Sequence, residues 1–365
     1  MRDERLANAP EDRKVLCYNR ATRAEPHLLK FTSSPASQRA RGAAWLAALA
    51  ISMGVFLFVV AGPSPALAGG LDLPAAATQG LDTLYGGKPQ EAITAFRTLE
   101  TEHPADPLGY LLEADARWWQ IYCEACQIKW NMLDAWPVPP PVPADQSYFA
   151  LTDKVIQLAE AGISQHDSAQ MELYAGMGWL LRARLLALRD ERRPTARAGV
   201  NARARLMRCL ELDPDMADAY TGLGIYNYYV DTLSGIAKVL RFLMGIPGGE
   251  KREGLRQLRA AASQGSLTRV EATFYLAKNL RIYEHDYSGA VNLMAGLVAE
   301  YPRNPVFHLL LGDFARELHQ TDVAAANFRA AQELPAESAA CASRVRELAQ
   351  QSAASLAPVA GRTAQ

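Results

Sequence analysis

A helical pattern that occurs twice near the end of the chain restricts its fold more than any other feature. The first copy combines small, bulky and helix-ending residues, namely Ala290, Met294, Leu297 and Pro302. The same pattern recurs 34 residues later at Ala324, Phe328 and Ala331, and Pro335 follows one position early. A period of about 20 to 50 residues is typical of stacked supersecondary units. The sequence therefore predicts a helical solenoid.

Two earlier stretches have the same offsets between the small residue, the bulky residue and the proline. They are Ala92, Phe96 and Pro104, and Ala202, Leu206 and Pro214. We expect the alanine where two helices approach closely and the bulky residue in the gap between neighbouring units. The proline ends the second helix of each pair because it has no backbone N–H to donate.

The first helix of a pair has its own signature, which is a ring-bearing residue followed three positions later by Leu-Gly. It occurs at Tyr220, Leu223 and Gly224, and again at His308, Leu311 and Gly312. With the 34-residue spacing, these motifs resemble the tetratricopeptide repeat family. The resemblance implies an all-α, right-handed α-solenoid over residues 80–348, with irregular insertions where the motifs are incomplete. It also implies a concave surface that binds proteins or peptides.

Composition argues against a sheet protein and against a nucleic-acid partner. No segment shows sustained alternation of Val, Ile and Thr, so we expect almost no β-structure. Residues 1–68 hold nine of the 38 Lys and Arg and five of the 39 Asp and Glu, which leaves 29 and 34 for the remainder. A body with a net charge of −5 gives no electrostatic reason to expect phosphate-backbone recognition.

The N-terminal region has the sequence features of an export signal. Residues 1–41 are predicted to be a disordered cytoplasmic leader, or to reflect a start codon placed too early. Residues 42–61 contain no charge and are long enough to cross a bilayer, with Arg39 and Arg41 on the cytoplasmic side. Ala66 and Ala68 form a small-x-small site for signal peptidase. Residues 42–68 are therefore either a signal peptide cleaved after Ala68 or an uncleaved anchor, and a buried helix of a cytosolic protein is the third interpretation. We expect a periplasmic or cell-envelope location.

Aromatic residues are concentrated in a predicted helix from Leu108 to Leu133 and in a second stretch near residue 226. Five of them are candidate partner-binding residues: Trp118, Trp119, Tyr226, Tyr228 and Tyr229. One interpretation is that the rings fill the solenoid core. The other is that they line a groove, since exposed Trp and Tyr are common interface anchors. The sequence leaves both interpretations open.

No cofactor site or catalytic constellation is predicted. The glycine-rich stretch 245–254 has Glu250 before Lys251 and Arg252 after it, whereas a phosphate loop requires Gly-Lys followed by Ser or Thr. We interpret this stretch as a turn that starts a helix.

Four cysteines follow the leader: Cys123, Cys126, Cys209 and Cys341. The Cys123–Cys126 spacing allows three interpretations, which are buried packing residues, a local disulfide between the two, and metal or redox chemistry. A zinc site would need two further ligands, and none lies nearby in the sequence.

The sequence as a whole predicts a non-enzymatic scaffold of the bacterial cell envelope that captures a protein or peptide in the concave surface of the repeats. The alternatives are a membrane-anchored assembly factor and a thiol or redox module that uses Cys123 and Cys126. A short capping helix, Ala340 to Leu348, is expected to close the array, and residues 349–365 are expected to form a disordered tail.

Overall fold

The helical periodicity of the sequence forms thirteen α-helices in the described part of a computed structural model. The structure describes residues 71–138, 143–235, 237–238, 241 and 245–356. The predicted leader, residues 1–41, and the predicted signal or anchor, residues 42–68, lie outside these ranges. None of the helices within them combines the length and the apolar character that a bilayer crossing requires.

Helix follows helix along the chain, and each packs against the next one. They are α1 (Ala75–Tyr85), α2 (Pro89–Glu102), α3 (Pro107–Ala125), α4 (Pro143–Gln165), α5 (Ala169–Leu188), α6 (Arg192–Leu212), α7 (Ala219–Thr232), α8 (Lys251–Gln264), α9 (Arg269–Asn279), α10 (Tyr287–Glu300), α11 (Pro305–Glu317), α12 (Thr321–Glu333) and α13 (Ala339–Ala354). A π-helix, Leu280–Glu284, continues α9. Two strands, β1 (Cys126–Lys129) and β2 (Met132–Ala135), pair antiparallel after α3. The predicted all-α class is confirmed.

Local sequence signals set where several helices begin. Side chains of Asp106, Ser168, Asp286, Asn304 and Ser338 accept hydrogen bonds from the first free backbone N–H groups of their helices. Such caps typically stabilise a helix by about 1 kcal/mol. Proline stands in the first turn of α2, α3 and α11, where its missing N–H costs nothing.

The small and bulky positions of the repeat pack as the sequence predicts. Ala92, Ala290 and Ala324 are completely buried. A β-carbon added at Gly80 would overlap the ring of Phe96, and one added at Gly312 would overlap Phe328. The first and last full helix pairs of the chain thus have the same glycine-to-phenylalanine contact.

The odd-numbered helices form the inner layer of the array, and their side chains meet at its centre. The ring centroid of Trp119 on α3 lies 4.9 Å from that of Phe274 on α9 and 5.8 Å from that of Phe307 on α11. Every residue of α9 from Val270 to Asn279 is buried. In the described residues, the inner surface is therefore filled by α9 and the rings around it, and it does not form the expected open groove.

The two ends of the array are joined. Asn304 Nδ2, before α11, donates to the carbonyl of Tyr85 at the end of α1 over 2.9 Å. The rings of Tyr85 and Tyr301 have centroids 5.8 Å apart. The last helix, α13, packs against α3 and β1. The array thus closes on itself.

Two boundaries differ from the prediction. The helix expected to reach Leu133 ends at Ala125, because Cys126 adopts an extended conformation and the β-hairpin begins there. The final helix continues to Ala354, so the first part of the predicted disordered tail is helical. Residues 357–365 lie outside the described ranges.

Candidate functional site

The β-hairpin presents a tryptophan at its tip. Trp130 and Asn131 join β1 to β2 with φ angles of +49° and +61°. Two successive positive φ angles suit the twist of a hairpin, but a bulky residue adopts them only with strain. Trp130 is also 79% exposed. A strained and exposed aromatic side chain is a candidate contact residue.

A second indole and a cation lie beside this tip. The ring centroids of Trp130 and Trp136 are 4.9 Å apart, in an edge-to-face arrangement. Trp136 Nε1 donates to the carbonyl of Gln127 over 3.1 Å, which fixes the ring against β1. Lys129 Nζ lies 5.7 Å from the centroid of Trp136, within the range of a cation–π contact.

Buried ion pairs hold the backbone of the tip in place. The carbonyl of Asn131 accepts hydrogen bonds from Arg281 Nη2 over 3.2 Å and from Arg316 Nη2 over 3.0 Å. Both guanidinium groups also bind the buried carboxylate of Asp313, over 3.0 Å and 2.6 Å. Burial raises the pKa of Asp313 to about 6, and the two arginines only partly oppose this. The hairpin is thereby fastened to the π-helix and to α11.

The base of the hairpin is fastened to α9 by a second ion pair. Lys278 Nζ lies 2.7 Å from Asp134 Oδ1, which also accepts a hydrogen bond of 3.0 Å from the Tyr122 hydroxyl. The rings of Tyr122, Phe274 and Tyr275 surround the ammonium group at 5.3 to 5.5 Å. Burial alone would lower the pKa of Lys278, but Asp134, Tyr275 and Tyr283 together outweigh it and the pKa is raised. The lysine therefore keeps its charge inside an aromatic cage.

Tyr283 extends this surface on the π-helix. Its side chain is 46% exposed. Burial of its inner part raises its pKa, Lys278 lowers it and Asp134 raises it, so the hydroxyl lies within electrostatic reach of that pair. π-Helices are frequently found at functional sites. We call the side chains of Lys129, Trp130, Trp136 and Tyr283 the hairpin surface.

The structure places the five predicted partner-binding residues mainly in the core. Trp118, Trp119, Tyr226 and Tyr228 are buried, and Tyr229 is half-buried beside Tyr228 and Tyr283. The Tyr228 hydroxyl donates to Glu284 Oε1 over 2.6 Å. Direct contact of the four buried residues with a partner would require another conformation. The hairpin surface itself was not predicted from the sequence.

A buried cluster of charged side chains holds the N-terminal end of α9 in place. Arg184 on α5 forms an ion pair with Glu271 on α9 and lies 3.7 Å from Asp115 on α3. Its guanidinium carbon is 5.2 Å from the ring centroid of Tyr275. Burial and the neighbouring Glu271 raise the pKa of Asp115 to about 8, against the lowering effect of Arg184. One arginine thus binds three inner helices together.

The local disulfide, one of the three interpretations of the Cys123–Cys126 spacing, does not form. Cys123 is bonded to Cys341, not to Cys126, because α13 brings Cys341 to a Cα–Cα distance of 5.5 Å. Cys126 is a buried free thiol, and burial together with Asp134 raises its pKa well above the usual value. A thiol in this state is a poor nucleophile. The structure therefore does not support a redox module that uses Cys123 and Cys126 as a pair.

A cavity of about 340 Å³ opens between α1 and the turn before α9. Its walls combine aliphatic residues with Asp82, Tyr85, Arg269 and Tyr301. Arg269 is paired with Glu300, and the Tyr301 hydroxyl lies 3.5 Å from Asp82 Oδ1. The polar groups of the cavity wall thus already have partners within the protein.

Comparison with known proteins gives no family. No protein-family model matches the chain, and no curated protein matches it. Among solved structures, the crystal structure of yeast Tom70 matches with a TM-score of 0.27 and 10% sequence identity. The match covers 74% of this chain and 60% of the Tom70 chain. A TM-score this low supports no argument about function.

Proposed function

We propose that the protein is a non-enzymatic scaffold of the cell envelope that binds a protein or peptide partner through the hairpin surface. The observation that carries the proposal is the strained, 79% exposed Trp130 at the tip of a hairpin that buried ion pairs hold rigid. A rigid aromatic anchor binds at low entropic cost, because little freedom remains to be lost. This proposal replaces capture in the concave surface, since α9 fills that surface.

Export from the cytoplasm is part of the proposal. The bond between Cys123 and Cys341 supports an oxidising compartment, where structural disulfides persist. The uncharged stretch at residues 42–61 supports it from the sequence. N-terminal sequencing of the native protein separates the two exported forms, because a cleaved protein would begin at Gly69 and an anchored one near Met1.

Site-specific photocrosslinking in the intact envelope tests the scaffold role. A photoreactive amino acid at position 129, beside the intact Trp130, should give one dominant, reproducible adduct. The same amino acid at Val323, an exposed residue of α12, should not give that adduct. Replacement of Trp130 by Ala in the chain that carries the probe should reduce the yield. The absence of any adduct specific to position 129 would contradict the proposal.

A further inference from the structure

The unpaired positive charge of the described residues is concentrated on α6, on α8 and on the chain that leads to α8. Six arginines in this region have no carboxylate of the described residues within ion-pair distance: Arg193, Arg197, Arg203, Arg241, Arg252 and Arg259. We call this set the basic surface. The other unpaired cations of the described ranges are dispersed along the chain, and they include Arg303, Arg329 and Arg346.

The basic surface contrasts with the remainder of the protein. α6 contains six arginines and one acidic residue, Glu211, whereas the body of the chain is net acidic. Arg193, Arg197, Arg252 and Arg259 are exposed. A local excess of guanidinium groups on an acidic protein predicts a specifically anionic partner.

Tyr226 connects the two halves of the basic surface. The guanidinium carbon of Arg203 lies 5.7 Å from its ring centroid. Its hydroxyl donates to the carbonyl of Pro247 over 2.8 Å, in the loop that leads to α8. Arg241 Nη1 donates to the carbonyl of Ile246 in the same loop over 3.3 Å. Arg203 and Arg241 therefore lie on one continuous side of the molecule.

Exposed apolar side chains lie among these cations. Met207 on α6 is 39% exposed, and Leu233 after α7 is 41% exposed. Apolar side chains interspersed with cations are typical of surfaces that lie in the headgroup region of a bilayer.

We propose that the basic surface docks the protein on an anionic lipid bilayer. The arginines bind lipid phosphates, and Met207 and Leu233 reach into the headgroup region. This contact is separate from the hairpin surface, and it does not depend on the segment at residues 42–61.

Vesicle co-sedimentation tests the proposal. The protein is the chain from Gly69, because the described residues begin at Leu71 and share one hydrophobic core. The probes are phosphatidylglycerol–phosphatidylcholine vesicles and pure phosphatidylcholine vesicles. The test variant is R197Q/R252Q/R259Q. The control, R303Q/R329Q/R346Q, removes the same charge from exposed, unpaired arginines elsewhere.

We expect the wild type and the control to bind the anionic vesicles and not the neutral ones. The test variant should bind the anionic vesicles at least about tenfold more weakly than the wild type. Added salt should weaken the binding of all three proteins. Circular dichroism should show the same helix content in all three proteins. No binding to anionic vesicles, equal losses in both variants, or binding of soluble polyglutamate or duplex DNA in place of vesicles would each overturn the proposal.

Discussion

Cys123 on α3 is bonded to Cys341 on α13, although 218 residues separate them in the sequence. The bond joins an early helix of the array to its last one. A small crevice of about 40 Å³, lined by Trp119, Pro305 and both cysteines, lies beside it. The ends of the array cannot separate while the bond is intact.

Reduction of this bond should destabilise the protein. The chain-entropy model gives about 5 kcal/mol for a loop of this length. Urea unfolding should therefore show a lower midpoint for the wild type in dithiothreitol. The variant C123S/C341S should resemble the reduced wild type and should not respond to dithiothreitol. An equal response of both proteins to the reductant would show that the effect arises elsewhere.

Glycine substitutions test the repeat packing. Gly312→Ala should destabilise the protein by about 1 to 3 kcal/mol, because its β-carbon would overlap Phe328. Gly296→Ala on α10 is the matched control, since its β-carbon meets nothing within 4 Å. Alanine at that helical position should be neutral or should stabilise by up to about 1 kcal/mol. Urea unfolding measures both, and equal effects would contradict the close helix approach at Gly312.

Trp130 should lower the stability of the hairpin tip and strengthen the binding of the partner. Trp130→Gly and Trp130→Ala both remove the exposed indole, but only glycine adopts the positive φ without strain. The glycine variant should be more stable than the alanine variant by about 1 kcal/mol. Both variants should lose the partner in a pull-down from the envelope. A wild type more stable than Trp130→Gly would argue against strain at the tip.

Stability should fall as the pH rises. Burial and Glu271 raise the pKa of Asp115 to about 8, whereas the pKa of an aspartate in an unfolded chain is about 4. The folded protein thus binds more protons than the unfolded chain between these values. The stabilising contribution is complete below the unfolded pKa and is lost as the pH rises through the folded one. Asp313, with a pKa of about 6, contributes with the same sign.

Urea unfolding at about pH 5.5 and about pH 8.5 measures this dependence. The free energy of unfolding of the wild type should be lower at the higher pH. Asp115→Asn should show a smaller decrease, and its Arg184 keeps Glu271 as a partner. A wild type that becomes more stable over this range would contradict the assigned direction.

The repeat units could be predicted from the sequence because their signals are local. Ala92, Ala290 and Ala324 are completely buried where the recurring offsets between small and bulky residues place them. Gly312, the glycine of the Leu-Gly signature, lies directly against Phe328. These positions depend only on a helix and its next neighbour, so spacing along the chain suffices to find them.

The closed centre and the hairpin could not be predicted in this way. The contact of Trp119 with Phe274 joins helices about 150 residues apart, and no local pattern records such a pairing. The hairpin turn has Trp130-Asn131 in place of the usual Asn-Gly. Asn131 was its only turn signal, and the aromatic run around it favoured a continuous helix.

Hydrogen exchange of α9 tests the central claim, which is that the inner surface of the array is filled by its own side chains. Because Val270–Asn279 is buried on every side, its amides should exchange only through global unfolding. Mass spectrometry of peptides from this helix should show the slowest exchange in the described part of the protein. Exchange of α9 as fast as that of the exposed outer helices would show an open groove and would contradict the account.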